Sequence, residues 1–267
     1  MNLNLQVLIS TMHQKDYSLL KRMNIDSDAV VINQCDEDFF YNLNIDNHRI
    51  MWINSKERGL SRSRNMALIN ANADICLLAD DDLEYVSDYR KIIINQFELN
   101  PDADIIAFQV EGIEERFKKY TNKPRKISFL TSMKISSVEI AFRLDKIKKA
   151  DLKFNVLFGA GSKYYMGEEN IFLSDCLRKG LNIVPIKIAY VHIGESTWFN
   201  GYDEDYFINR GAVFTAMSYK LSIPLIVQFA VRKVQLYKNR FNIFQVINYM
   251  LEGRKRYLAD INSQRSF

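Results

Sequence analysis

Two short acidic clusters are the residues of this chain best suited to chemistry. The first is Asp80-Asp81-Asp82, directly after the apolar run ICLLA at 75–79. Adjacent carboxylates repel one another strongly at short range. A hard divalent cation, Mg²⁺ or Mn²⁺, relieves that repulsion through oxygen ligands and completes its shell with waters and substrate phosphates. The second cluster is Glu168-Glu169, in the GEEN run at 167–170, at the start of a helical pattern that stops at Gly180. A carboxylate there can accept a proton from a hydroxyl as charge develops on the attacking oxygen. Each cluster also has a plainer reading. Aspartates after a strand can cap a helix, and two acids at a helix start are favoured by its dipole.

The elements that must position these acids follow from the apolar pattern. Leu5–Ser10, Ala29–Asn33, Ile50–Ile53, Ile75–Ala79 and Asp104–Val110 are apolar runs expected as strands buried on both faces. Between them Tyr17–Met23, Ser61–Ala73 and Asp88–Leu99 carry helical spacing, and Pro101 follows where the last of these must have ended. This alternation predicts an open, mostly parallel α/β sheet flanked by helices. In such sheets ligands bind beyond the carboxyl ends of the strands, where the three aspartates lie. Farther on, KISFLT and VEIAFRL are read as strand pieces, Phe158–Ser162 as a turn, Gly167–Lys179 as a helix, and Leu181–Val191 as an edge or bent strand because of Pro185.

Bulk properties exclude several classes. With 267 residues, 48% apolar and 25% charged, the chain is an ordinary globular protein. Cys35, Cys76 and Cys176 show no CxxC spacing, so neither a disulfide framework nor a structural zinc site is expected, and a cytoplasmic setting fits. The start reads as a first strand, not a signal peptide. The apolar stretch Leu221–Val231 is about half of what a membrane-spanning helix needs. No P-loop and no GxGxxG fingerprint is present.

The ordered pieces QVLISTMHQ, AVVINQCDE, GLSRSRNMALINANADICLLADDD and GEENIFLSDCLRKG resemble family 2 glycosyltransferases of GT-A fold, notably bacterial enzymes of surface-polysaccharide assembly, over roughly residues 4–200. The resemblance implies an inverting, metal-dependent hexosyltransferase. It would move a sugar from a nucleotide-diphosphate sugar, a UDP-sugar in the first instance, to a glycan or lipid-linked glycan. Residues 1–202 would form the catalytic domain, with a nucleotide-sugar half at about 1–110 and an acceptor half at about 111–202.

Carried over by position, Ser10 and Thr11 would border the nucleotide, and Gln34 and Asp36 would lie by the base. Arg64 would sit by the base or phosphates, with Arg62 a weaker candidate, or both arginines would be solvated. Asn65 would cap or brace its loop. Asp80 would face the ribose or metal, Asp82 would hold Mn²⁺ or Mg²⁺, and Asp81 stays open for either site. Glu169 would be the base, although Asp is commoner there, which keeps Glu168 in contention. His192 would reach the metal or diphosphate, or be structural. Trp198 would stack on a sugar or lie in the core, and Gly159-Ala160-Gly161 would approach an acceptor or form a tight turn.

Residues 203–267 form a C-terminal helical appendage in which aromatic and aliphatic residues mix with Lys and Arg. From 207 onward ten basic residues face two acidic ones, +8 in a chain whose total is +4. A basic amphipathic region fits peripheral contact with the inner face of the cell membrane, or simple packing on the catalytic body. Nucleic acid is not expected, since no binding motif is present. Two rival functions are a nucleotidyltransferase, which calls for a Gly-rich basic loop where STMHQKDY stands, and a non-catalytic nucleotide-sugar binder.

Overall fold

The computed structural model describes residues 3–112, 118, 120, 127–193 and 201–265. The amino-terminal part runs β1 (Leu5–Met12), α1 (Ser18–Arg22), β2 (Asp28–Gln34), β3 (Phe39–Ile45), β4 (His48–Ser55), α2 (Leu60–Asn70), β5 (Ile75–Asp80), β6 (Leu83–Tyr85), α3 (Tyr89–Leu99) and β7 (Ile105–Gly112). Then come α4 (Phe129–Ser132), β8 (Ile140–Arg143), α5 (Leu144–Lys149), α6 (Glu168–Arg178) and β9 (Ile183–Ile193). Three helices close the chain: α7 (Glu204–Met217), α8 (Ser222–Arg232) and α9 (Ile243–Arg265).

The strands form one sheet in the order β3-β4-β2-β1-β5-β8-β7-β9-β6. The block β4-β2-β1-β5 is parallel throughout, as is β7 with β9. Strands β3, β8 and β6 join antiparallel. Alternation along the parallel strands explains the two layers. Val7 and Ile9, Ala29 and Val31, and Leu77 and Ala79 point to α1 and α3 in one core. Leu8, Val30, Ile32, Cys76 and Leu78 point the other way, to α2, α5 and α6. Both faces are covered, which is why these strands read as unbroken apolar runs.

Three local expectations change. Strand β3, not expected from the sequence, is an edge strand with mostly exposed residues, of which Leu43 and Ile45 pack on the first core. It is joined to β4 by Asp46-Asn47, both at positive φ (50° and 67°), the geometry a two-residue hairpin needs and that Asp and Asn tolerate. KISFLT contributes a helix, α4, because Ser128 and Thr131 form a reciprocal capping box. VEIAFRL is a strand only from Ile140, since a 3₁₀ turn occupies Ser137–Glu139. Pro185 lies in β9 opposite Ala107, just before a register shift against β7.

A third core is built by α7, α8 and α9 together with Phe158, Tyr164, Met166 and Ile171. The α7–α9 crossing is very close. A Cβ on Gly211 would run into the Met250 carbonyl, and one on Gly253 into the Ile208 carbonyl.

Candidate active site

The carboxyl ends of four parallel strands line up. Ser10 is in register with Asp80, Met12 with Gln34, and Gln34 with Ser55. Beyond these ends the GLSRSRN segment turns into α2, and it is fastened on both sides. The Gly59 N–H donates to Gln34 Oε1 at 2.7 Å. The Leu60 N–H donates to the Ala160 carbonyl at 2.9 Å, and Ser61 Oγ to the Phe158 carbonyl at 2.8 Å. Ser63 Oγ donates to Ser10 Oγ at 2.8 Å. Asn65 braces the 150s loop, its amide donating to the Phe154 carbonyl and its oxygen accepting the Phe154 N–H, each at 2.8 Å.

This scaffold aims Arg64 inward. Arg62 and Arg64 are two residues apart, roughly 200° around a helix. Arg62 is therefore exposed, while Arg64 shares the buried stripe of Ser61, Ala67 and Leu68. Arg64 is 1% exposed and joins the two acidic clusters. Its Nη1 donates to Glu168 Oε1 at 2.6 Å and its Nη2 to Asp80 Oδ1 at 2.8 Å. The guanidinium carbon lies 5.6 Å from the centre of the Phe154 ring. Burial opposes the charge, but Asp80 and Glu168 outweigh it, so Arg64 is held even more firmly protonated than an ordinary arginine. Each terminal nitrogen thus holds one carboxylate, and Nε is buried without a hydrogen-bond partner.

Glu168 is correspondingly locked. It is buried against Gly159, where a Cβ would stand 3.2 Å from the Glu168 carboxylate and φ is +99°. The Gly159-Ala160-Gly161 segment is thus a tight turn that receives Glu168 on one side and Gly59 on the other. Glu169, its neighbour, is half-buried and accepts a 2.9 Å bond from the Asn170 amide. Burial, then repulsion from Glu168, pushes its carboxyl up to about 8, while its own backbone N–H, Arg64 and Arg210 pull the other way.

Of the aspartates, Asp80 keeps one oxygen that Arg64 does not use, with Ser137 Oγ 3.4 Å away. Asp81 Oδ2 accepts from Thr11 Oγ1 at 2.6 Å. Among the described residues Asp82 has no ion-pair partner, and partial burial with Asp80 and Asp81 nearby pushes its carboxyl up to about 6. An uncompensated oxygen donor of this kind fits a hard divalent cation. Among the described residues no three His, Cys, Asp or Glu side chains converge into a protein-only cage, and a cation that takes substrate phosphate oxygens does not require one.

The remaining candidates are scattered. Asp36 is an exposed carboxylate bonded by Arg58 Nη2 at 2.6 Å, beyond the end of β2. His192 lies in β9 in register with Glu84, its Nδ1 3.8 Å from Glu111 Oε2. Trp198 lies outside the described residues. One nearby charge was not expected: that of Arg210 on α7, which opposes the rise in the proton affinity of Glu169. The preceding residue, Asn209, accepts the Tyr165 N–H at 2.8 Å, and Gly167 lies against Val213, so α7 packs on the segment that presents Glu169. Arg210 donates to the Tyr206 hydroxyl at 3.0 Å, and its Nε is buried without a partner. The excess of positive charge near the chain end pointed to the surface and hid this residue.

A two-layered α/β sheet with acidic groups gathered at its carboxyl edge has the form of a nucleotide-sugar transferase of GT-A type. The family described as Glycosyl transferase family 2 matches residues 17–163, more than half of the 267-residue chain, and the chain belongs to that family. The match spans GLSRSRN and the three aspartates and ends before Glu168. Among solved structures, TarS 1–349 of S. aureus in complex with UDP-GlcNAc is similar at 14% identity and a TM-score of 0.63, over 89% of this chain and 74% of that one. The mannosyltransferase PcManGT from Pyrobaculum calidifontis, in complex with GDP-Man and Mn²⁺, is similar at 12% identity and a TM-score of 0.52, over 97% of this chain and 88% of that one. At these identities the likeness is one of fold. No curated protein matches the chain in sequence.

Proposed function

We propose that this glycosyltransferase inverts configuration, moving a sugar from a UDP-sugar to a glycan or lipid-linked glycan in surface-polysaccharide synthesis. The observation that carries this reading is the buried Arg64, which bonds Asp80 and, 104 residues away from itself in sequence, Glu168, and so draws the two acidic clusters into one site. The donor would lie along the strand ends, with Ser10, Thr11 and Gln34 forming its floor and Asp36 at the base end. Asp82, with the Asp80 oxygen that Arg64 does not bond, would hold Mn²⁺ or Mg²⁺. When bound, such an ion offsets the charge that grows on the departing diphosphate.

Glu169 is the proposed base. Glu168 is committed to Arg64, whereas Glu169 is not, and its raised proton affinity brings it nearer to the working range of a base. The acceptor oxygen forms its bond to the anomeric carbon from the face opposite the diphosphate, and its proton passes to Glu169. The carbon–oxygen bond to the diphosphate breaks, and the electron pair leaves with the nucleotide. Arg64 is a positioning residue that fixes Asp80 and keeps Glu168 out of proton transfer. Arg210 is proposed to moderate the proton affinity of Glu169. Residues 1–202 are proposed as the catalytic domain, with 203–267 docked on it and set toward the cytoplasmic face of the membrane.

The test is product release from a panel of UDP-sugars with Mn²⁺ and simple alkyl glycoside acceptors. Nucleoside diphosphate should appear with the wild type and fall sharply in Glu169→Gln and Asp82→Ala. Wild-type turnover in both variants would overturn the assignment, and release of pyrophosphate would favour a nucleotidyltransferase.

A further inference from the structure

Helix α8 is apolar on both sides. Leu225, Ile226 and Ala230 fill the third core. The outward face carries Ile223, Val227 and Val231, which are 49%, 43% and 56% exposed. These three recur every four residues and therefore form one stripe. Leu221, 46% exposed, precedes them. A helix that meets only water places charge on its outer face. Here the charges stand at the ends: Lys220 before the helix, Arg232 and Lys233 at its close, then Lys238 and Arg240, all exposed. Residues 206–251 contain no acidic residue at all. Among the described residues none of these five cations is joined to a carboxylate in an ion pair. No helix of the described residues is long and apolar enough to cross a membrane.

We infer that the outer face of α8 lies in the interface of an anionic bilayer, with Ile223, Val227 and Val231 sunk among the acyl chain ends and Lys220, Arg232 and Lys233 on the headgroups. This rests on the proposed membrane-facing role of residues 203–267 and identifies the surface that performs it. Charge argues for lipid over a second copy of the chain. A two-fold contact through this face would oppose five cations to the same five. Three aliphatic side chains also bury far less than the roughly 1,200 Å² of a stable interface. A lipid interface takes such a stripe readily, and anionic headgroups attract its flanking cations.

Cosedimentation of the full chain tests this, with vesicles of equimolar phosphatidylglycerol and phosphatidylcholine against phosphatidylcholine alone. The wild type should bind the anionic vesicles and lose them as salt rises. The Ile223→Gln/Val227→Gln/Val231→Gln variant should bind about tenfold or more weakly, as expected when three inserted aliphatic side chains are removed. Lys220→Ala/Arg232→Ala/Lys233→Ala should bind weakly and without preference for anionic lipid. All variants should keep the melting shift produced by UDP-sugar with Mn²⁺, so failure here is separable from failure of the enzymatic reading. Wild-type binding that ignores phosphatidylglycerol, or equal binding by the triple glutamine variant, would overturn the inference. So would a dimer in sedimentation velocity that the same glutamines dissociate, since a second copy would then occupy the face.

Discussion

Replacing Arg64 with methionine is the perturbation that weighs most heavily on this account. Methionine retains apolar volume beside Phe154 but leaves Glu168 with a carboxylate only 7% exposed and no ion-pair partner among the described residues. Removing one member of a buried ion pair costs about 3–5 kcal/mol, because the other charge stays buried and uncompensated. Asp80, 32% exposed, contributes less, since water can take over part of the guanidinium's role there. In a chain of this size each kcal/mol lowers the melting temperature by about 2–4 °C. A drop of roughly 6–20 °C should follow. Urea titration and thermal melting at neutral pH would measure it, and Glu168→Gln in the Arg64→Met background should recover part of the loss through pairwise coupling. A loss under about 1 kcal/mol, with no coupling to Glu168, would refute the view that Arg64 joins the acidic clusters by charge, because it would match an exposed pair.

Glu169→Gln should lower transfer by about 10²–10⁴, the usual contribution of a general base, with donor affinity unchanged by isothermal titration. The wild-type rate should rise with pH through an acid limb well above the ordinary carboxylate range, and a limb near 4.5 would contradict the raised Glu169. Stability runs the opposite way: the Glu169 proton affinity is raised on folding, so its contribution is complete below 4.5 and lost as pH rises through about 8. Chemical denaturation across that window should therefore show a gentler decline for Glu169→Gln than for the wild type. Gly211→Ala, whose Cβ would run into the Met250 carbonyl, should cost about 1–3 kcal/mol as an overpacked contact and loosen α7 beneath Glu169. A melting temperature equal to wild type would show that α7 and α9 do not meet so closely.

Much of the site was legible because its acids are clustered and stand next to punctuated elements. ICLLA predicted the strand that delivers Asp80, and Gly180 marked the stop of the helix that begins at Glu168. The union of the clusters was not legible, since it depends on which of two arginines faces inward. The signal was present in the helical spacing, for Arg64 falls three and four residues before Ala67 and Leu68 and Arg62 does not. Strand β3 was legible in principle: Tyr41, Leu43 and Ile45 alternate with Asn42 and Asn44, Leu43 and Ile45 pack on the core, and the Asp46-Asn47 turn follows, but the alternation is short and the strand lies at an edge. Arg210 escaped because its role depends on α7 packing against residues 165–167, a long-range contact that local pattern does not encode. The different surroundings of Asp80 and Asp81 likewise come from partners on other elements, Arg64 and Thr11.

The most direct test of the central claim is a thermal-shift titration of wild type, Asp82→Ala and Glu169→Gln with UDP-sugars, with and without Mn²⁺. Ligand that binds the folded state alone raises its stability by mass action, by about 2.7 kcal/mol at a hundredfold excess over Kd. The wild type and Glu169→Gln should gain a sugar-nucleotide shift that requires the cation, and Asp82→Ala should lose it. Equal shifts in all three proteins, or none with any nucleotide sugar in the presence of Mn²⁺, would contradict a metal-assisted donor site at the end of β5.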